Sequence, residues 1–235
     1  MFKKSALLHD VAYGDKDYAA EAAAVCAEVR AGHPQARDLL DVACGTGRHL
    51  EQLSARYRVE GGDLNPLLLE RARARCPGVP LHQLDMTEFS LDRSYDVVTC
   101  LFSSIGYAGT VERMRRAVSC MAGHLRSPGT LVIEPWFTPE SYWEGHLAAN
   151  FHDLPELKLA WMYRQERRDA RSILDVHCLV IAPGGAEHFV ERHDLGLFTR
   201  AEMEGAFAAA GLTVSYHEGE VFKRGLYVGR RPARS

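Results

Sequence analysis

Three aspartates in the first third of the chain raise the chemical question. Asp41, Asp63 and Asp85 lie at the ends of three successive short strand-like segments, and the first leads into the small-residue stretch Ala43-Cys44-Gly45-Thr46-Gly47. Small residues let backbone N–H groups approach a ligand closely, and glycine tolerates the angles of a sharp strand-to-helix turn. Asp63 follows Asp41 by about 20 residues, the spacing at which a carboxylate takes both hydroxyls of a ribose. Asp85 is placed to accept from an adenine amino group, with Met86 packing on the base. Two other readings compete. Dinucleotide binding wants GxGxxG, but the run Gly45-Thr46-Gly47-Arg48-His49-Leu50 lacks the third glycine. The other competitor makes the three acids mere turn and cap residues, which fits poorly with their recurrence at three successive strand ends. His49, His177 and His193 form no HxH or HxxxH pair, so no metal site is expected.

The elements that must carry these residues alternate. Residues 17–31 read as an alanine-rich helix, "DLLDVA" as a buried strand, "RHLEQLSARY" as a helix, "RVEGGDL" as a strand and "PLLLERARARC" as a helix with proline in its permitted first turn. A short strand in "VPLHQLD", a strong one in "YDVVTCLF", a helix over "VERMRRAVSCMAGHL", an "SPG" turn and a strand in "TLVIEPW" continue the pattern. Helices between strands demand right-handed crossovers, so the expected class is α/β: a doubly wound, mostly parallel Rossmann-like sheet. From about Trp136 the pattern changes to long alternating runs, "LKLAWMYRQER", "RSILDVHCLVIA" and "EHFVERHDLGLF", the last two joined at "PGG". The expected organisation is a core of residues 1–137 and 199–235 carrying an inserted antiparallel β-rich cap, residues 138–198. Thr199 caps a further helix, and a final strand lies in "YHEGEVFKRGLYVGRR".

Composition narrows the classes. The 235 residues carry a formal net charge of −3, which gives no electrostatic case for nucleic acid. The six cysteines lack CxxC pairing and read as reduced thiols of a cytoplasmic protein, and no apolar run is long enough for a membrane span. Edge strands in the cap leave room for a homodimer.

"DVACGTG" resembles motif I of the class I S-adenosylmethionine-dependent methyltransferases, with "GGDLN" and "LDM" where that superfamily binds ribose and adenine. The chain from about Lys16 to Arg230, through "KDYAAEAA", "VTCLFSSIG", "EPWFTPE", "LFTRAEMEGAFAAAGL" and "RGLYVG", is similar to the TDP-aminosugar N-methyltransferases of antibiotic deoxysugar pathways. The resemblance implies methyl transfer from S-adenosylmethionine to the amine of a TDP-linked amino-deoxysugar, with S-adenosylhomocysteine as product and no metal. By the same resemblance Tyr18 holds the methionyl end, Ala43 and Gly45 contact the cofactor through the backbone, and Asp63 takes the ribose. Asp41, Gly47, Leu64 and Leu101 complete that site beside Asp85 and Met86. Trp136, Phe137 and Arg224 match positions that shape the sugar-nucleotide site, and a guanidinium suits a diphosphate. Tyr163 and Arg164, on an expected cap strand, are further candidates for the phosphates, the default reading of Arg164 being an exposed strand arginine.

Two departures fall near the acceptor amine. Relatives carry histidine after "SSIG", whereas this chain has Tyr107, and the shorter N-terminal segment puts His9 at a usual tyrosine position, leaving the substrate-binding role of Tyr13 open. Tyr107 either orients the amine by accepting an N–H, neutral tyrosine being a poor base at pH 7, or simply packs under the cap. Glu134 pairs with the amine or with a backbone group. An O-methyltransferase acting on a sugar or polyketide, and a cofactor-binding partner protein without turnover, remain alternatives at this level. Whether the amine is at C3 or C4, and whether one or two methyl groups are added, also stays open.

Overall fold

The computed structural model describes residues 8–233. A short helix α1 (His9–Ala12) precedes α2 (Tyr18–Gly32), which starts where the Asp17 side chain accepts from the Ala20 N–H. The residues α2 buries, among them Ala22, Val25, Cys26 and Val29, recur at helical spacing and pack on the sheet. Then follow β1 (Asp38–Val42), α3 (Arg48–Leu53), β2 (Arg58–Asp63), α4 (Pro66–Arg75), β3 (Leu81–Gln83), β4 (Tyr95–Cys100), α5 (Val111–Gly123) and β5 (Leu125–Ile133). Every residue of β1 and β4 is buried, as expected of strands covered on both faces by helices.

A second series comprises β6 (Leu147–Leu154), β7 (Leu157–Arg168), β8 (Arg171–Ala182) and β9 (Gly185–Gly196), followed by α6 (Arg200–Ala209), β10 (Thr213–His217) and β11 (Leu226–Arg231). The chain makes two sheets. One has seven strands in the order β10-β11-β5-β4-β1-β2-β3, parallel except where β11 pairs antiparallel with β5 and β10. The other is the antiparallel meander β6-β7-β8-β9. Strand order reverses between β1 and β4, and in such sheets the ligand crevice lies outside the carboxyl ends of the strands at that reversal.

Four local expectations change. Strand β10, antiparallel to β11, was not expected beside the final strand. The helix expected over "RHLEQLSARY" stops at Leu53. The "SPG" segment is an excursion inside β5, where pairing jumps from Tyr95–Leu125 to Val97–Thr130. Strand β6 was not expected, since "LAANFHDL" shows no buried alternation; it has no fully buried residue and pairs along β7 as an edge. Thr199 does cap α6, in a reciprocal pairing with Glu202. All six cysteines are unpaired thiols, and no helix among the described residues is long and apolar enough to cross a membrane.

The second sheet lies over the crevice of the first. Between β4 and α5 a 3-10 turn, Ser104–Ala108, passes beneath β9. A Cβ on Gly106 would come within 3.0 Å of the Leu195 side chain and 3.1 Å of that of Trp136, so any other residue would have to push these neighbours back by a few tenths of an ångström.

Candidate active site

A single cleft of about 440 Å3 is lined by α1, by the loops after β1, β2, β3 and β4, and by the inner faces of β7, β8 and β9. At one end the loop after β1 is bent hard. Ala43 has φ 61° and Gly45 φ 58°, and nothing stands within 4 Å of where a Gly45 Cβ would project. Left-handed angles at a non-glycine residue carry strain that the surroundings must hold in place. Part of that hold comes from Asp63, whose carboxylate accepts the Gly45 N–H at 2.9 Å and the Asn65 N–H at 2.8 Å. Burial pushes the Asp63 pKa up, and the two N–H groups pull against it. An ionised carboxylate has about four acceptor positions, so capacity remains for two ribose hydroxyls.

Asp41 sits beneath the loop. It accepts from the Thr99 hydroxyl at 2.7 Å, and burial pushes its pKa up to about 6. Asp85 is held by the backbone N–H and hydroxyl of Thr87, both at 2.8 Å, with Arg113 at 3.4 Å. Leu64, Met86 and Leu101 add apolar wall, and Tyr18 lies under the Arg48 guanidinium, 5.1 Å from its ring centre. Open space over Gly45, a buried carboxylate with spare acceptors and a second acid one strand on fit a nucleoside with an attached chain.

The other end is built from both sheets. Tyr13 packs edge-on against Phe102 at 4.9 Å, and burial pushes its pKa up to about 12. Phe102 and Ser103, at φ 54° and 57°, form a second strained bend at the end of β4. Glu134, 2% exposed, accepts the Phe102 N–H at 2.6 Å, so its partner is a backbone group. It also accepts from Arg224 Nη2 at 3.0 Å, while Arg224 Nε donates to the Ser103 hydroxyl at 2.7 Å. The guanidinium carbon lies 5.2 Å from the Trp136 ring centre and 5.6 Å from that of Phe137. Trp161 and Tyr163, alternate residues on β7, stack at 5.8 Å and line the cleft. Tyr107 bonds His193 Nδ1 at 2.7 Å, and Glu191, two residues before His193 on β9, also faces in.

Besides Glu134, three residues named from sequence do not line the cleft. Gly47 faces α4: a Cβ there would meet Ala72 at 3.3 Å, so its glycine serves helix packing. Phe137 packs edge-on behind Trp136 at 4.7 Å and reaches the site only through Arg224. Arg164 points to solvent and pairs with Glu166 at 3.6 Å, because adjacent strand residues face opposite ways and Tyr163 takes the inner position. Residues that sequence reasoning missed include Ser103, Arg113, Trp161 and Glu191, which reach the cleft only through tertiary packing. The three histidines weighed for metal stand apart: His49 bonds Glu21 at 2.7 Å, His193 bonds Tyr107, and His177 faces His188 at 3.3 Å.

Comparison with known proteins adds the family. Residues 39–129 match the model of a methyltransferase domain. The chain is 42% identical over 216 residues to the dTDP-3-amino-3,4,6-trideoxy-alpha-D-glucopyranose N,N-dimethyltransferase of Streptomyces venezuelae, covering 91% of each chain. It is 38% identical over 217 residues to the dTDP-4-amino-2,3,4,6-tetradeoxy-D-glucose N,N-dimethyltransferase of Saccharopolyspora spinosa, covering 92% of this chain and 87% of that one. Among solved structures, the S-adenosylmethionine-bound CalS10 of Micromonospora echinaspora, an amino pentose methyltransferase involved in calicheamicin biosynthesis, superposes with a TM-score of 0.88. It is 40% identical, over 95% of this chain and 96% of that one. The chain therefore belongs to the S-adenosylmethionine-dependent methyltransferases, in the family of TDP-aminosugar N-methyltransferases.

Proposed function

We propose that the protein transfers methyl groups from S-adenosylmethionine to the amino group of a TDP-linked amino-deoxysugar in the assembly of an antibiotic or related natural product. The observation that carries the reading is one continuous cleft, with the Gly45, Asp63 and Asp85 end on the parallel sheet and the Tyr107, Tyr163 and Arg224 end shared with the antiparallel one. When bound, S-adenosylmethionine supplies a sulfonium methyl group open to in-line displacement by a neutral amine. Asp63 holds the ribose, Asp85 and Met86 the adenine, and the backbone at Ala43 and Gly45 with Tyr18 the methionyl arm. Arg224 uses two of its five N–H donors on Ser103 and Glu134, which leaves three for the diphosphate. Residues 138–198 act as the substrate-binding cap.

Tyr107 orients the amine. Burial pushes its pKa well up, so it stays protonated and serves as a hydrogen-bond partner and not as a base. Alignment in a water-poor cleft is worth about 7 to 11 kcal/mol in the most favourable intramolecular systems, enough to make a strong base dispensable. The six unpaired thiols suit a reducing cytoplasm. The outer face of the β6–β9 sheet leaves Phe151, Met162, Leu179, Ile181 and Val190 exposed, which favours a homodimer packed through that face. Light scattering on the purified chain gives twice the monomer mass if this is right and the monomer mass if it is wrong.

Incubation with S-adenosylmethionine and a panel of TDP-3-amino, TDP-4-amino and matching TDP-hydroxy sugars tests the function. The expected result is turnover on one amino class and none on the hydroxy sugars. Turnover on hydroxy sugars alone would overturn the assignment.

A further inference from the structure

We propose that His193 is a positioning residue that fixes the direction of the Tyr107 hydroxyl, so that this hydroxyl receives an N–H from the acceptor amine and cannot cap its lone pair. The inference rests on the function proposed above and concerns a residue that neither the sequence motifs nor the family resemblance singles out. Tyr107 sits in the 3-10 turn after β4, and His193 faces the cleft from β9 of the other sheet, 86 residues later. Their polar atoms meet at 2.7 Å, while the ring centres are 6.1 Å apart and tilted by 55°, so the contact is a hydrogen bond and not a stack.

Burial pushes the His193 pKa down to about 4, which makes the ring neutral near pH 7 with one nitrogen acting as acceptor. Tyr107 keeps its proton for the same reason. An imidazole lone pair is a far better acceptor than a phenol oxygen, and a phenol O–H a better donor than a neutral imidazole N–H. The stable arrangement is Tyr107 O–H donating to His193 Nδ1, with the imidazole hydrogen on Nε2. The hydroxyl then offers only its oxygen lone pairs to the cleft.

That direction matters because of what a methyl acceptor needs. A neutral amine has one lone pair, and it must point at the methyl carbon. A tyrosine hydroxyl whose proton is not committed to His193 can turn it towards that amine lone pair. The resulting bond has to break before attack. With its proton committed to His193, Tyr107 accepts an amine N–H instead, and the lone pair stays free. The pair also accounts for tyrosine at a position where the resemblance puts histidine: the imidazole stands one hydrogen bond further out, on the other sheet.

The test is a mutant set read against wild-type turnover on whichever panel sugar is accepted. His193→Leu removes the acceptor of the Tyr107 proton and should lower kcat about ten-fold, with the sugar KM and the calorimetric S-adenosylmethionine Kd within two-fold of wild type. Tyr107→Phe alone should lose about five-fold, the worth of one orienting hydrogen bond. The double variant His193→Leu/Tyr107→Phe should be faster than His193→Leu, because the misdirected hydroxyl is gone; damage of a merely structural kind would make it slower. His193→Asn, whose Oδ1 falls near the place of Nδ1, should restore most of the rate, and His193→Gln should not; this pair decides if the leucine variant does not fold. Nitrogen-15 NMR of labelled histidine, in the absence of sugar, should show His193 protonated on Nε2. A double variant as slow as His193→Leu, an unaffected His193→Leu, or a proton on Nδ1 would each overturn the proposal. Wild type inactive on every amino sugar would instead remove the functional reading, and the tautomer would still be measurable.

Discussion

Replacing Arg224 with alanine tests the sugar-nucleotide end of the cleft, and the structure sets its size. The side chain gives Nε–H to Ser103 at 2.7 Å and Nη2–H to Glu134 at 3.0 Å, and lies 5.2 Å from the Trp136 ring centre. These contacts fix the guanidinium with three donors left over. A hydrogen bond to a charged group is worth about 1.5 to 3 kcal/mol, so losing one such bond to the diphosphate should raise the KM for the TDP-sugar about 10- to 150-fold. A second loss accompanies it. Glu134 keeps the Phe102 N–H at 2.6 Å but loses its cation, and an under-partnered buried acceptor costs about 1 to 3 kcal/mol of stability. Steady-state kinetics in the sugar, calorimetry with S-adenosylmethionine and a melting curve separate the two. The expected pattern is a large rise in sugar KM, a cofactor Kd within two-fold of wild type and a lower Tm. Arg224→Lys should recover part of the KM, since a point charge replaces the planar fork. An unchanged sugar KM, or equal weakening of both ligands, would refute the reasoning.

Asp63→Ala should weaken S-adenosylhomocysteine binding ten-fold or more by calorimetry, through loss of the ribose acceptor and of the Gly45 N–H partner; unchanged affinity in a folded variant would contradict the assignment. Gly45→Ala meets no atom within 4 Å but adopts a φ of 58°. It should cost about 1 kcal/mol in unfolding experiments and weaken cofactor affinity further, because the new methyl group fills the ligand's space. Burial lowers the His193 pKa from 6.5 to about 4, so between those values the folded chain holds fewer protons than the unfolded one. Stability from this residue is therefore complete above pH 6.5 and is lost as pH falls towards 4, by about 3 kcal/mol in all. Asp41, raised to about 6, works in the opposite direction, so the difference between wild type and His193→Asn in chemical denaturation should isolate the effect.

The parallel sheet was legible because short strand-like runs such as those of β1 and β4 alternate with helical segments from α2 to α5. The grouping of Asp41, Asp63 and Asp85 at one end of the cleft was legible too: they belong to consecutive strand ends, and local order in sequence becomes neighbourhood in space. The acceptor end was not. Glu134, Ser103 and Arg224 meet across separations that no local pattern encodes, and the Tyr107–His193 bond joins two sheets. Strand β6 stayed hidden because an edge strand exposed on its surface needs no apolar alternation. Tyr163 and Arg164 were named together although period two forbids adjacent residues from sharing a face; the inner place went to the residue the apolar wall could hold. Gly47 belongs to the same glycine run as Gly45, yet Gly45 faces open space in the cleft and Gly47 faces a helix.

The most direct measurement of the central claim is the destination of the methyl group. Wild-type protein is incubated with S-adenosylmethionine carrying a deuterated methyl group and with the TDP-amino sugar it accepts, and the intact product is fragmented by mass spectrometry. The account predicts one or two labelled methyl groups, all retained on the fragment that holds the sugar nitrogen. Label on a sugar oxygen, or no labelled sugar at all while the cofactor binds, would contradict it.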